Sequence, residues 1–225
     1  MMNMNSPGAE RPRYFHGQLL TAQDFADEQD YFREKLRRHN RLLHGWGVVC
    51  GLSVTPAAGR CAVVVSPGYA LDPCGDEILL EEEALLRLPR GWRDDDLGHE
   101  VADESACPDG VWTVAIRYVE IPAYFVPAIG GSGDSDSLQA SRIRESYDLC
   151  ALATQPGGYK RDRKRRRDGD IDACPPCPPD PEERWVVLAE ARVQGGRVTV
   201  GYARTSRPLG APRVARPAAR IDDSS

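Results

Sequence analysis

From Thr21 onward the apolar positions recur at helical spacing. Phe25, Phe32, Leu36, His39 and Leu43 fall on one stripe, while Asp27, Glu34, Arg37 and Arg38 face elsewhere. Thr21 with Asp24 three residues on has the form of a capping box, and acids gather in the first half with bases in the second, as the helix dipole favours. Gly45 and Gly47 supply the stop. The spacing therefore predicts a helix of roughly 20–24 residues, about 35 Å long.

After Gly47 the period changes to two, or to short apolar runs bounded by turns. Val48–Val54, Cys61–Ser66, Tyr69–Leu71 and Glu77–Leu80 read as strands separated by "TPAAG", "SPG" and "DPCGD". "VWTVAIRYVEI" (111–121) and "SRIRESYDLCAL" (141–152) are longer candidates. "RWVVLAEARV" and "RVTVGYA" meet across Gln194-Gly195-Gly196, a hairpin signal. No helix alternates with these strands. The predicted fold class is mainly β: an antiparallel β-sandwich or open barrel preceded by one long N-terminal α-helix.

The organisation that follows is a flexible arm over 1–13, a helix and docking segment over 14–45, a β domain over 46–205 and a disordered tail over 206–225. Within the β domain, "GGSGDSDSLQ" (130–139) and the charged, proline-rich 157–183 lack any apolar period and read as mobile loops.

Bulk numbers narrow the function classes. The chain has 225 residues, 41% hydrophobic and 28% charged, which suits a folded soluble body. A net charge of -5 argues against a general nucleic-acid or anionic-membrane binder. No apolar run approaches the roughly 20 residues of a membrane helix, and the first residues show no secretory signal. The expected location is the cytoplasm. In such a reducing compartment the seven cysteines read as free thiols or metal ligands rather than disulfides.

Candidate chemistry is thin. His39 and His44 are five apart, whereas helical metal pairs sit three or four apart, so they read as an ordinary aromatic and a C-terminal cation. "HEVAD" begins like a zinc protease motif, but Asp103 stands where the second histidine belongs. "CPPC" places Cys174 and Cys177 at a spacing that grips zinc, with Cys107 and Cys150 the nearest further ligands in type. An exposed loop with two free thiols is the favoured reading; a structural zinc or iron–sulfur clip, or an enzyme or redox protein built on Cys174 and Cys177, is the alternative. "KRDRKRRR" (160–167) carries seven bases and one acid, so a nucleic-acid contact is a further alternative. It lacks interleaved aromatics, and Asp168, Asp170 and Asp172 blunt it.

One long ordered set of residues does resemble a family. Tyr14, Phe15, Gly17, Gln18 and Leu20 are followed by Asp24, Phe25, Glu28, Gln29 and Tyr31, then by His39, Asn40 and Arg41. Gly47, Val48, Gly51 and Leu52 come next, and then Pro67, Gly68, Ala70 and Asp72. In that order they resemble the opening of a baseplate-associated family found with phage-tail-like contractile injection systems. The likeness covers about residues 13–80; position 16 is His where the family pattern has an acid. The resemblance implies a non-catalytic structural subunit of a contractile tail-like assembly, present in multiple copies at or near the baseplate. It would connect a spike, fibre or other accessory, without cofactor, membrane or nucleic acid. Tyr14, Phe15, Gln18, Arg37, Arg38 and Arg41 are the expected interface residues. His39–Val54 then reads as a joint in which the helix ends, the glycines let the chain reverse, and Trp46 seals the corner.

Overall fold

A computed structural model describes residues 9–58, 61–89, 92–94, 100–102, 107–127, 138–153, 177–179 and 184–202. One 23-residue N-terminal helix precedes a set of antiparallel sheets, one of them curled as a half-barrel, as the hydrophobic pattern predicts. The helix is α-helical over Ala22–His39 (α1) and closes with a π-helical turn over Asn40–His44. Its capping box is complete: the Asp24 amide donates to Thr21 Oγ1 at 3.3 Å, and the Thr21 amide donates to Asp24 Oδ2 at 2.7 Å. The cap holds the Asp24 carboxyl below its ordinary range, chiefly through the Thr21 hydroxyl.

Twelve strands follow among the described residues. They are β1 (Gly47–Gly51), β2 (Val54–Pro56), β3 (Ala62–Val65), β4 (Gly68–Leu71), β5 (Glu77–Leu80), β6 (Ala84–Arg87), β7 (Trp92–Asp94), β8 (Glu100–Ala102), β9 (Gly110–Pro127), β10 (Leu138–Leu152), β11 (Val186–Gln194) and β12 (Arg197–Tyr202). They pair as β1-β4-β5, β2-β3-β6, β7-β8 and β10-β9-β11-β12, all antiparallel.

The predicted strand Val48–Val54 is divided between two sheets. Gly51 and Leu52 both take left-handed backbone, at φ 62° and 53°, and this pair of kinks carries the chain from β1 into β2. Leu52 sits there because its side chain reaches the main core, where burial offsets an unfavourable backbone. A Cβ on Gly51 would collide with the Pro67 carbonyl, so the close crossing of β1 and β4 admits only glycine. The expected hairpin is present: Gly195 and Gly196 have φ of 55° and 72°, the two positive angles a two-residue type I′ loop needs.

The core lies between the sheets. Val63, Val65, Ile78, Leu80, Val114, Ile116 and Val186 are almost fully buried in it. Strand alternation delivers them: in β5, Ile78 and Leu80 point in while Glu77 and Leu79 point out. Trp46 packs half-buried against the same core, as the joint reading requires. A second cluster gathers Trp185, Ala115 and Val187, with the Arg117 guanidinium 4.4 Å over the Trp185 ring and bound to Asp148.

Three sequence expectations are corrected. Leu138 and Gln139 belong to β10, opposite Pro127 and Val126, so the loop read over 130–139 ends before them. Residues 177–179 are likewise anchored within the stretch read as mobile over 157–183, because Cys177 is bonded to Cys74. Disulfides join Cys61 to Cys107 and Cys74 to Cys177, against the expectation of free thiols or metal ligands. The rest of both loops, the segment 160–167, Cys174, His99 and the 206–225 tail lie outside the described residues.

Candidate docking surface

The N-terminal segment folds back on α1. Phe15 and Gln18 close a turn in which the Gln18 amide donates to the Phe15 carbonyl at 3.2 Å and the Phe15 amide donates to Gln18 Oε1 at 3.3 Å. Gly17 takes the left-handed angle, φ 83°. Tyr14 donates its hydroxyl to Glu28 Oε2 at 3.1 Å, tying the turn to the helix. Residues 9–13, read as a flexible arm, form a groove with Asp27, Glu34 and Arg38 on one flank of the helix. Phe15 remains exposed.

The other flank meets the β body, and that contact is polar. No residue of α1 is buried. Arg33 donates to Glu120 of β9 at 2.9 Å. Arg37 donates through Nε to Asp76 and through Nη1 to Glu34, the latter at 2.8 Å. Asn40, buried at the start of the π-turn, donates to the Gly75 carbonyl at 3.0 Å, and Arg41 donates to the Cys74 carbonyl at 3.4 Å.

Their receptor is the "DPCGD" turn between β4 and β5. Asp72, 1% exposed, accepts three backbone N–H groups on one oxygen, those of Cys74, Gly75 and Asp76, each at 2.8 Å. Gly75 has φ 98°, and a Cβ there would collide with the Arg37 carbonyl, so the helix lies directly on the turn. The Cys74–Cys177 bond fastens a third segment to the same turn.

Electrostatics at the junction follow from burial. Burial, then the neighbouring Asp76 carboxylate, pushes Asp72 up to about 6 despite its three amide donors. Burial also raises Asp76, although Arg37 pulls in the opposite direction. For Arg37 burial works against the cation, but Asp76 and Glu34 outweigh it and hold its pKa above the ordinary range.

Anchoring the polar flank leaves the apolar stripe facing water. Phe25, Phe32, Leu36 and Leu43 are 50%, 55%, 50% and 60% exposed. A second apolar surface lies at the far end of β9 and β10. β11 pairs with β9 only as far as Ile116, so beyond that point the two long strands form a ribbon with no third strand among the described residues. Ile121, Tyr124, Phe125, Val126, Leu138 and Ile143 are all exposed on it.

The expected interface residues are therefore sorted by the structure. Arg37 and Arg41 bind the chain's own β4–β5 turn, whereas Phe15 is open, Tyr14 and Gln18 shape the N-terminal turn, and Arg38 lines the groove. Sequence reading missed Asn40, Gly75, Asp76 and Glu120 as partners. Asn40, with Asp72, Gly51 and Gly68, belongs to the quoted motif, and these residues build the joint and the crossing beside it.

The described candidate metal ligands, Cys107, Cys150 and Cys177, are dispersed. Cys107 and Cys177 are in different disulfides, and a disulfide sulfur is not a thiolate ligand. Cys150 lies on β10, with its thiol 3.4 Å from Asp148. The spacing argument about His39 and His44 is corrected, because the π-turn brings positions five apart onto one side. Their Nε2 atoms lie 3.2 Å apart, one donating and one accepting. Among the described residues no three His, Cys, Asp or Glu side chains gather as a metal set, and no helix is long and apolar enough to cross a membrane. Comparison of the sequence with protein-family models finds no matching family, and comparison with curated proteins finds no match.

Proposed function

We propose that the chain is a non-catalytic structural subunit of a phage-tail-like contractile injection particle, docked at or near the baseplate. The observation that carries this reading is the apolar stripe Phe25, Phe32, Leu36 and Leu43, exposed on a helix whose polar flank is fixed to the β body. A stripe held at a fixed orientation is pre-organised for a protein partner, and repeated copies on a symmetric particle multiply a modest contact through avidity. The motif resemblance over residues 13–80 supports this class of assembly.

The test is co-purification with intact particles. Phe25→Asp with Leu36→Asp should leave the circular dichroism spectrum and melting temperature of the chain nearly unchanged, because both side chains are half-exposed. The same variant should be lost from sedimented particles. Retention at wild-type stoichiometry would overturn the reading.

A further inference from the structure

The π-turn that closes the helix has an anchored side and an open side. On the anchored side Asn40 donates to the Gly75 carbonyl at 3.0 Å and Arg41 to the Cys74 carbonyl at 3.4 Å, while the Gly45 amide closes the wide turn on the Asn40 carbonyl at 3.0 Å. The open side carries His39 and His44, both exposed. In a continuing α-helix, positions five apart stand about 140° apart around the axis, too far round for their side chains to meet. The π-turn brings these two together, with their Nε2 atoms 3.2 Å apart and their ring centroids 5.0 Å apart at 61°.

That separation suits more than a shared proton. Zinc binds an imidazole nitrogen at about 2.0–2.1 Å, so two imidazoles on one zinc hold their nitrogens about 3.3 Å apart at the tetrahedral angle and about 2.9 Å apart at a right angle. The 3.2 Å between His39 and His44 lies within that interval. The backbone that carries them is already fixed through Asn40 and Arg41, so little ordering is left to oppose binding. The neighbouring bases are engaged elsewhere. Arg37 holds Asp76 and Glu34, Arg41 holds the Cys74 carbonyl, and Arg38 lines the groove beside Asp27 and Glu34. The C-terminal end of a helix itself favours a cation.

We propose that His39 and His44 form a two-nitrogen site for zinc(II). The metal displaces the hydrogen bond between the rings. The ring that donated through Nε2 carries its proton at Nδ1 instead, and both Nε2 lone pairs bind the cation. Water fills the remaining positions, since both rings face solvent and no third His, Cys, Asp or Glu joins them among the described residues. Because the pair is assembled by the π form of the turn, zinc selects that form and secures Asn40 and Arg41 on the β4–β5 turn. The site goes beyond the structural-subunit reading and does not depend on it.

Calorimetric titration of the full, untagged chain with zinc chloride, after stripping with a chelator, tests the site. Wild type should take up one more equivalent of zinc than the double variant His39→Gln with His44→Gln. Either single variant should bind that equivalent more weakly by about tenfold or more, because a lone imidazole loses the chelate. His16→Gln, an exposed histidine away from the turn, should leave it unchanged. All three positions are exposed, so the circular dichroism spectrum should be the same throughout. Zinc should also slow amide exchange over 40–45 in wild type, a readout that needs no substitution, and should do so in neither single variant. Equal zinc uptake by wild type and the double variant would overturn the proposal. So would a single variant that binds as tightly as wild type, or exchange over 40–45 that zinc leaves unaltered, and the two rings would then be a hydrogen-bonded pair only.

Discussion

Replacing Arg37 by alanine should free the helix without unfolding the β body. Asp76 is 8% exposed and holds the Arg37 guanidinium, whose side chain is 21% exposed. Removing the cation strands a buried carboxylate. The loss from breaking a buried pair is about 3–5 kcal/mol, and the partial exposure of Arg37 brings the expected cost down to about 2–4 kcal/mol. That cost falls on docking. α1 has no buried residue to hold it by hydrophobic contact, and a free helix of this length is marginal in water. Amide hydrogen exchange over 22–39 should accelerate by roughly 30-fold or more, the equivalent of about 2 kcal/mol. Amides of β9 and β11 should keep their protection, since Val114, Ile116 and Val186 are untouched. The sign of the pH effect follows from Asp76. Without Arg37 its raised pKa climbs further, the folded state then binds a proton that the unfolded state lacks, and acidification shrinks the defect. Adding Asp76→Asn should restore more than half of the lost protection. Unchanged exchange over 22–39 in Arg37→Ala, or equal loss of protection in β9, would refute the reasoning.

Three further outcomes follow from the same joint. Asp72 has a folded pKa of about 6 against 3.8 for an ordinary carboxyl, so the folded state binds more protons between those values and stability should rise as pH falls from 7 toward 4. Urea melts across that range should show the trend in wild type and a flatter profile in Asp72→Asn, which keeps the acceptor oxygen. Cys177→Ser should lower stability by about 2–4 kcal/mol in the absence of reductant, since the bond closes a sequence separation of 103 residues, and with a dithiol, which opens Cys61–Cys107 as well, wild type and Cys177→Ser should melt at the same temperature. Gly75→Ala should cost at least about 2 kcal/mol of helix docking, read by exchange over 22–39, because the new Cβ meets both a positive φ and the Arg37 carbonyl.

The local devices of this fold were legible in the chain. Thr21 and Asp24 cap the helix because the two side chains that close the box stand three residues apart. Gly195-Gly196 makes the hairpin because only positive φ suits its two-residue loop. β5 buries Ile78 and Leu80 because strand alternation is a property of neighbours. The helical stripe was legible too, but not its direction. An apolar stripe ordinarily turns inward, and here the polar flank does so, since Arg33, Arg37 and Asn40 find Glu120, Asp76 and the Gly75 carbonyl 35 to 87 residues away. Nothing within one turn of the helix encodes those partners. The disulfides have the same character: Cys177 is bonded not within its own "CPPC" but to Cys74, across a separation of 103 residues. Leu52 is the intermediate case, a residue whose composition predicts continuing strand and whose φ of 53° is imposed by the crossing of β1 over β4. Periodicity and capping act through atoms a few residues apart, and so the sequence alone determined them. The inward face of α1, its docking turn and the cysteine pairing depend on segments that only the folded chain brings together.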